Sequence, residues 1–69
     1  MKKWIDLLNS MGIEFNVYDK KYIDIWGYDL NTTKFERIIA AECVKHGSWL
    51  AYGQEIYTMA DGTEITITL

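Results

Sequence analysis

The polar and apolar positions of this 69-residue chain fall into two rhythms, a helical one that appears twice and a period of two that appears in two blocks. Trp4, Ile5, Leu7, Leu8 and Met11 recur at helical spacing, with Lys2, Asp6, Asn9 and Ser10 opposite them and Gly12 as a left-handed stop. The pattern predicts a first helix over about Lys3–Met11. A helix this short holds only if its apolar stripe packs against another element.

Ile13-Glu14-Phe15-Asn16-Val17-Tyr18 alternates strictly, and after Asp19-Lys20-Lys21 the run Tyr22-Ile23-Asp24-Ile25-Trp26 alternates again. The two runs read as a hairpin that sets Tyr18 opposite Tyr22, Val17 opposite Ile23 and Phe15 opposite Ile25. Ile13, Phe15, Val17, Ile23 and Ile25 then share one face, and Glu14, Asn16, Tyr18, Tyr22, Asp24 and Trp26 share the other. Thr33-Lys34-Phe35-Glu36 has the form of a capping box, and His46-Gly47 closes the segment. A second helix is therefore expected over about Lys34–His46. Phe35, Ile39, Ala40 and Cys43 turn inward on it, and Lys34, Arg37, Ala41 and Lys45 turn outward.

Toward the end of the chain, Ser48–Tyr52 and Glu55–Met59 flank Gly53-Gln54, a turn with glycine first, and Ala60-Asp61-Gly62-Thr63 leads into Glu64–Leu69. Pairing through both turns sets Trp49 opposite Thr58, Ala51 opposite Ile56, Thr58 opposite Ile65 and Ile56 opposite Ile67. Trp49, Ala51, Ile56, Thr58, Ile65, Ile67 and Leu69 then face the core. Leu50, Tyr52, Glu55, Tyr57, Met59, Glu64, Thr66 and Thr68 face away. The order α-β-β-α-β-β-β is that of a single compact α+β domain over residues 1–69, an antiparallel sheet of about five strands with two helices packed on one face. The expected core is Trp4, Leu7, Leu8, Phe15, Val17, Ile23, Ile25, Phe35, Ile39, Trp49, Ile56, Ile65 and Ile67.

Composition sharpens this picture in three ways. Ten aromatic residues, a 49% hydrophobic share and no proline point to an ordered chain. A chain of this length folds to a surface of about 4,500 Å² and buries only roughly 60% of what it exposes unfolded, so the core is small and a partner or second copy would add stability. No apolar run reaches the length of a membrane span, and Asp6 interrupts any signal-peptide core after Met1-Lys2-Lys3, so a cytoplasmic protein without membrane association is expected. The single Cys43 forbids an internal disulfide. Asn31-Thr32-Thr33 matches a glycosylation acceptor, a match without weight where no export signal is seen.

Candidate chemistry is sparse. Cys43 and His46 stand three apart on the expected second helix with Glu42 nearby, but zinc wants four ligands and no second Cys or His exists to complete the set. A catalytic thiol needs access and an orienting base, whereas Cys43 lies on the apolar side of its helix. No glycine cluster forms a phosphate loop. The expectation is no catalytic residue, no metal and no cofactor. Lys34, Arg37 and Lys45, joined by Lys2 and Lys3, form a basic stripe that reads as a solvated face.

The sheet side away from the helices is more telling. It gathers Tyr18, Tyr22, Trp26, Tyr52 and Tyr57 with Leu50 and Met59, interspersed with Glu14, Asp24, Glu55 and Glu64 and with no basic residue. Aromatics and methionine are what interface cores enrich; the same residues could also close a second small core. Stacked aromatics bind single-stranded nucleic acid only beside a basic groove, and this face is acidic, which argues against direct nucleic-acid binding. The expected function is a non-enzymatic protein-binding module. Tyr18, Tyr22, Asp24, Trp26, Tyr52, Glu55, Tyr57 and Met59 would dock on a protein partner with a basic surface. Small acidic chains without catalytic motifs are commonly inhibitors or accessory proteins, those of phages and mobile elements among them. The alternative is a small-molecule-binding or sequestering protein that stacks a ligand on the same aromatics. Two copies could also bury this face, or the surface around Ile38, in a homodimer, provided the carboxylates stay at the rim.

Overall fold

The structure is a computed structural model that describes residues 1–69. Helix α1 spans Lys2–Ser10, strands β1 and β2 span Asn16–Tyr18 and Tyr22–Trp26, and helix α2 spans Leu30–Glu42. Strands β3, β4 and β5 follow at Lys45–Trp49, Gln54–Thr58 and Glu64–Thr68, with a short 3-10 turn over Leu50–Tyr52. The fold is α+β, and its accessible surface of 4492 Å² is close to what the length implies.

The five strands form one sheet in the order β1-β2-β5-β4-β3. The sheet is mixed: β2 and β5 run parallel while the other three pairs are antiparallel, so the expectation of a purely antiparallel sheet is corrected. The reason is topological. Helix α2 carries the chain away from β2, and β5 returns into the slot between β2 and β4 instead of ending the sheet at an edge.

The β1–β2 hairpin has the expected register for Tyr18 with Tyr22, Val17 with Ile23 and Asn16 with Asp24, but β1 begins only at Asn16, so the expected pairing of Phe15 with Ile25 is not made. Its turn is tight, with Asp19 and Lys20 both in the left-handed region at φ 52° and 54°. The register between β4 and β5 differs from expectation by one residue: Tyr57 pairs with Ile65 and Thr58 with Glu64. The connection there is a three-residue loop, Ala60-Asp61-Gly62, closed by the Gly62 amide donating to the Met59 carbonyl (3.0 Å) and the Met59 amide donating to the Thr63 carbonyl (2.8 Å). Gly62 takes φ +88°, as the last residue of such a loop requires. With Ile65 and Ile67 of β5 held in the core, a turn shorter by one residue exchanges the two faces of β4. Tyr57 and Met59 therefore point into the core, and Ile56 and Thr58 share the opposite face with Glu64 and Thr66.

Helix α2 begins four residues earlier than the capping box suggests. Asp29, in extended conformation, is the N-cap, and its side chain accepts from the Thr32 amide at 2.8 Å. The helix ends at Glu42, where Cys43 is already extended (ψ 151°), and Lys45 and His46 belong to β3. At the β3–β4 turn, Gly53 is the left-handed last residue (φ +61°) of a four-residue connection, not the first residue of a two-residue turn.

The core is one cluster of eleven buried hydrophobic residues. It takes Trp4 and Leu8 from α1, Phe35 and Ile39 from α2, and Ile23, Ile25, Tyr57, Ile65 and Ile67 from one face of the sheet, with Ile13 and Met59 beside them. Leu7 and Phe15 are half-buried against the cluster. Three expected core residues, Val17, Trp49 and Ile56, lie outside it: Val17 on the edge strand β1 is 41% exposed, and Trp49 on the opposite edge is 54% exposed. Ile56 is half-buried on the other face. No helix is long and apolar enough to cross a membrane.

Candidate functional site

Directly paired residues lie on the same side of a sheet, so the register defines both faces. On the face away from the core, one row runs Lys45, Thr58, Glu64, Tyr22, Tyr18 across the five strands. The next row is Gly47, Ile56, Thr66, Asp24, Asn16, and the third is Trp49, Gln54, Thr68, Trp26. The middle of this open face is built of threonine, glutamine, isoleucine and glycine, and the large aromatics stand at its two edges. Trp26 is 66% exposed and Tyr18 52% exposed, with Tyr22 beside them.

Four of the eight residues expected to bind a partner stay together on this surface: Tyr18, Tyr22, Asp24 and Trp26. Tyr52 is exposed but sits in the 3-10 turn, edge-on to Trp49 at 4.5 Å between ring centroids. The remaining three are corrected. Glu55 lies on the helix side of the sheet opposite Ser48, and Tyr57 and Met59 are buried, all three displaced by the shorter β4–β5 turn. Among strand residues the open face thus keeps Asp24 and Glu64 and gains Lys45 at its far edge. Trp49, which the pattern placed in the core, joins it too.

Beside β2, Trp26 and Asp24 help line a hollow of about 510 Å³ with Asn9, Glu14, Asn16 and the Gly12–Phe15 segment. Two carboxylates, two amides and an indole meet there, and no lysine or arginine does. Lys21 leans over the Tyr22 ring, 5.3 Å from its centroid.

A second concentration of polar groups sits on the helix side at the β3–β4 edge. Glu36 of α2 accepts on one oxygen from two hydroxyls, Tyr28 at 2.9 Å and Tyr57 at 2.8 Å. Desolvation first, then these bonds to a carboxylate, hold both hydroxyls well above the ordinary tyrosine range. His46 stacks on the Tyr57 ring at 4.3 Å with planes 6° apart, and its Nε2 is 3.6 Å from Glu55. Ser48 donates to the same Glu55 carboxylate. Serine and histidine therefore both address the same carboxylate. The expected Cys43–His46 pairing on one helix is also corrected, since Cys43 caps α2 and donates to the Ala40 carbonyl at 3.4 Å while His46 is in β3. No group of three or more His, Cys, Asp or Glu side chains is gathered as a metal site.

The basic stripe is likewise broken up. Lys3 pairs with Glu42 and Lys2 with Asp6, each at 2.7 Å, and Lys45 leaves the helix, so only Lys34 and Arg37 remain exposed together on α2. The signal that would have found the true faces was the glycine-terminated loop Ala60-Asp61-Gly62, read as three residues and not four. Compared with known proteins, the chain matches no protein-family model, no curated protein and no solved structure.

Proposed function

We propose that the chain is a non-enzymatic binding module that docks on the basic surface of a partner protein through the β1–β2 side of its open face. The observation that carries this reading is the union of exposed Tyr18, Tyr22 and Trp26 with Asp24 in one register, beside a hollow to which Glu14 adds a second carboxylate. Tyrosine and tryptophan anchor interfaces because they bury large, rigid area at little entropic cost. Carboxylates among them favour arginine and lysine on the other side and disfavour nucleic acid. A protein of this kind acts by covering the surface it binds, as an inhibitor or accessory factor does, including one encoded by a phage or mobile element. A cytoplasmic setting suits the single free thiol.

A small-molecule reading rests on the hollow itself, whose volume of about 510 Å³ is in the range that holds compact ligands. One experiment separates the two. The tagged chain is recovered from its native host alongside Trp26→Ala, Asp24→Lys and, as a surface control, Arg37→Glu. A stoichiometric protein captured by the wild type and Arg37→Glu, and lost by both open-face variants with their circular dichroism unchanged, supports docking. A small molecule released on denaturation, or capture indifferent to Trp26 and Asp24, defeats it.

A further inference from the structure

Strand β3 ends the sheet, and all five of its residues are exposed. An edge strand presents a row of unpaired N–H and C=O groups, which proteins commonly protect with proline, several charges, a covering loop or shortness. Here five residues carry a single lysine and no proline. The residues flanking the strand are apolar and open to solvent, Val44 at 67% and Leu50 at 88%.

The segment from Val44 to Leu50 is complementary to itself when reversed about Gly47. Laid antiparallel on a second copy, Lys45 meets Trp49, His46 meets Ser48 and Gly47 meets Gly47 within the strands, and just beyond their ends Val44 comes beside Leu50, where the 3-10 turn begins. Apolar faces apolar, an ammonium faces an indole, a polar pair faces across the helix side, and the smallest residue stands at the axis. No charge opposes its own sign. The other surfaces lack this property: β1 has only three residues, and stacking two open faces brings Asp24 and Glu64 toward their symmetry mates.

We propose that the protein forms a symmetric dimer in which β3 pairs antiparallel with β3 of a second copy, centred on Gly47, so that two five-stranded sheets become one continuous sheet. The two-fold axis is perpendicular to that sheet, and both open faces lie on the same side of it. This surface is separate from the docking face around Trp26 and stands or falls independently of it.

Sedimentation equilibrium at tens of micromolar gives a mass near twice 8.1 kDa for the wild type. Leu50→Asp, at a position already almost fully solvated, shifts the equilibrium toward monomer by at least tenfold, about the loss of one buried leucine contact. The register is tested by Gly47→Cys in a Cys43→Ser background. A Cβ at Gly47 meets nothing within 4 Å, and Cα atoms directly opposed across antiparallel strands lie about 4.5–5.5 Å apart, within disulfide reach. Mild oxidation then links this variant about a hundredfold faster than Thr66→Cys at the centre of the open face. A monomer throughout the range, or a dimer that cross-links through Thr66→Cys in preference to Gly47→Cys, overturns the proposal.

Discussion

Glu36 is where a single residue ties helix to sheet, since one carboxylate oxygen holds the hydroxyls of Tyr28 and Tyr57. Glu36→Ala removes a charged acceptor from both and leaves the almost fully buried Tyr57 without a partner. Hydrogen bonds to charged groups contribute about 1.5–3 kcal/mol, so a loss of about 2–3 kcal/mol is expected in urea unfolding, and Glu36→Gln, which keeps an acceptor, should lose less. The same contacts set the alkaline limit of stability. Both hydroxyls are raised in the folded state, so the native protein holds protons that the unfolded chain releases above pH of about 10. Their contribution is complete below that value and declines as the pH rises beyond it. Melting temperature should fall from about pH 10 upward, and more shallowly in Tyr57→Phe.

At the scale of elements, the start of α2 shows how two local signals compete. Thr33 and Glu36 make a capping box on paper, yet Asp29 takes the cap and Glu36 turns to the tyrosines. Asp29→Ala should therefore cost about 1 kcal/mol, while Thr33→Ala, whose hydroxyl only donates to the Asp29 carbonyl at 3.0 Å, should cost less than half as much in the same denaturation assay. Phe35 and Ile39 of the inward face of α2 were legible, because they stay one turn apart wherever the helix begins, whereas Ala40, expected beside them, is exposed. The β1–β2 hairpin was legible because its alternation and its loop length agree. In β4 the alternation points both ways, Ile56 and Thr58 against Tyr57 and Met59, so the turn alone decides. Counting Thr63 into that turn exchanged the faces. Tyr18, Tyr22, Asp24 and Trp26 survived because their hairpin does not depend on the later turn, and Glu55, Tyr57 and Met59 did not.

On the scale of the whole molecule, docking driven by charge and aromatics together carries a definite ionic-strength signature. In the proposed docking, Asp24 and Glu14 would act through solvent beside the hollow, and their attraction to a basic partner would weaken as the Debye length shrinks from about 10 Å at 0.1 M salt to about 3 Å at 1 M. Association should slow with added salt in the wild type and show a flatter dependence in Asp24→Asn, while dissociation, governed by the contact area that Trp26 and Tyr22 would lose to the partner, should change little. Surface plasmon resonance with the captured partner reads both rates. A dimer through β3 would present two such faces side by side, and retention on a densely coated surface would then exceed that on a sparse one.

The position of β5 has a kinetic consequence as well. The strand that is last in sequence occupies the middle of the sheet, with β2 on one side and β4 on the other. Both hairpin-forming halves can assemble from local contacts, but the parallel β2–β5 pairing closes a loop that includes all of α2, β3 and β4, and such distant closure is slow. Until β2 and β5 pair, each half keeps one bare strand edge, which the matching strand of a neighbouring chain can pair with as readily as its own. Refolding yield should consequently fall with protein concentration, and the first aggregates should be exchanged oligomers held by native pairings.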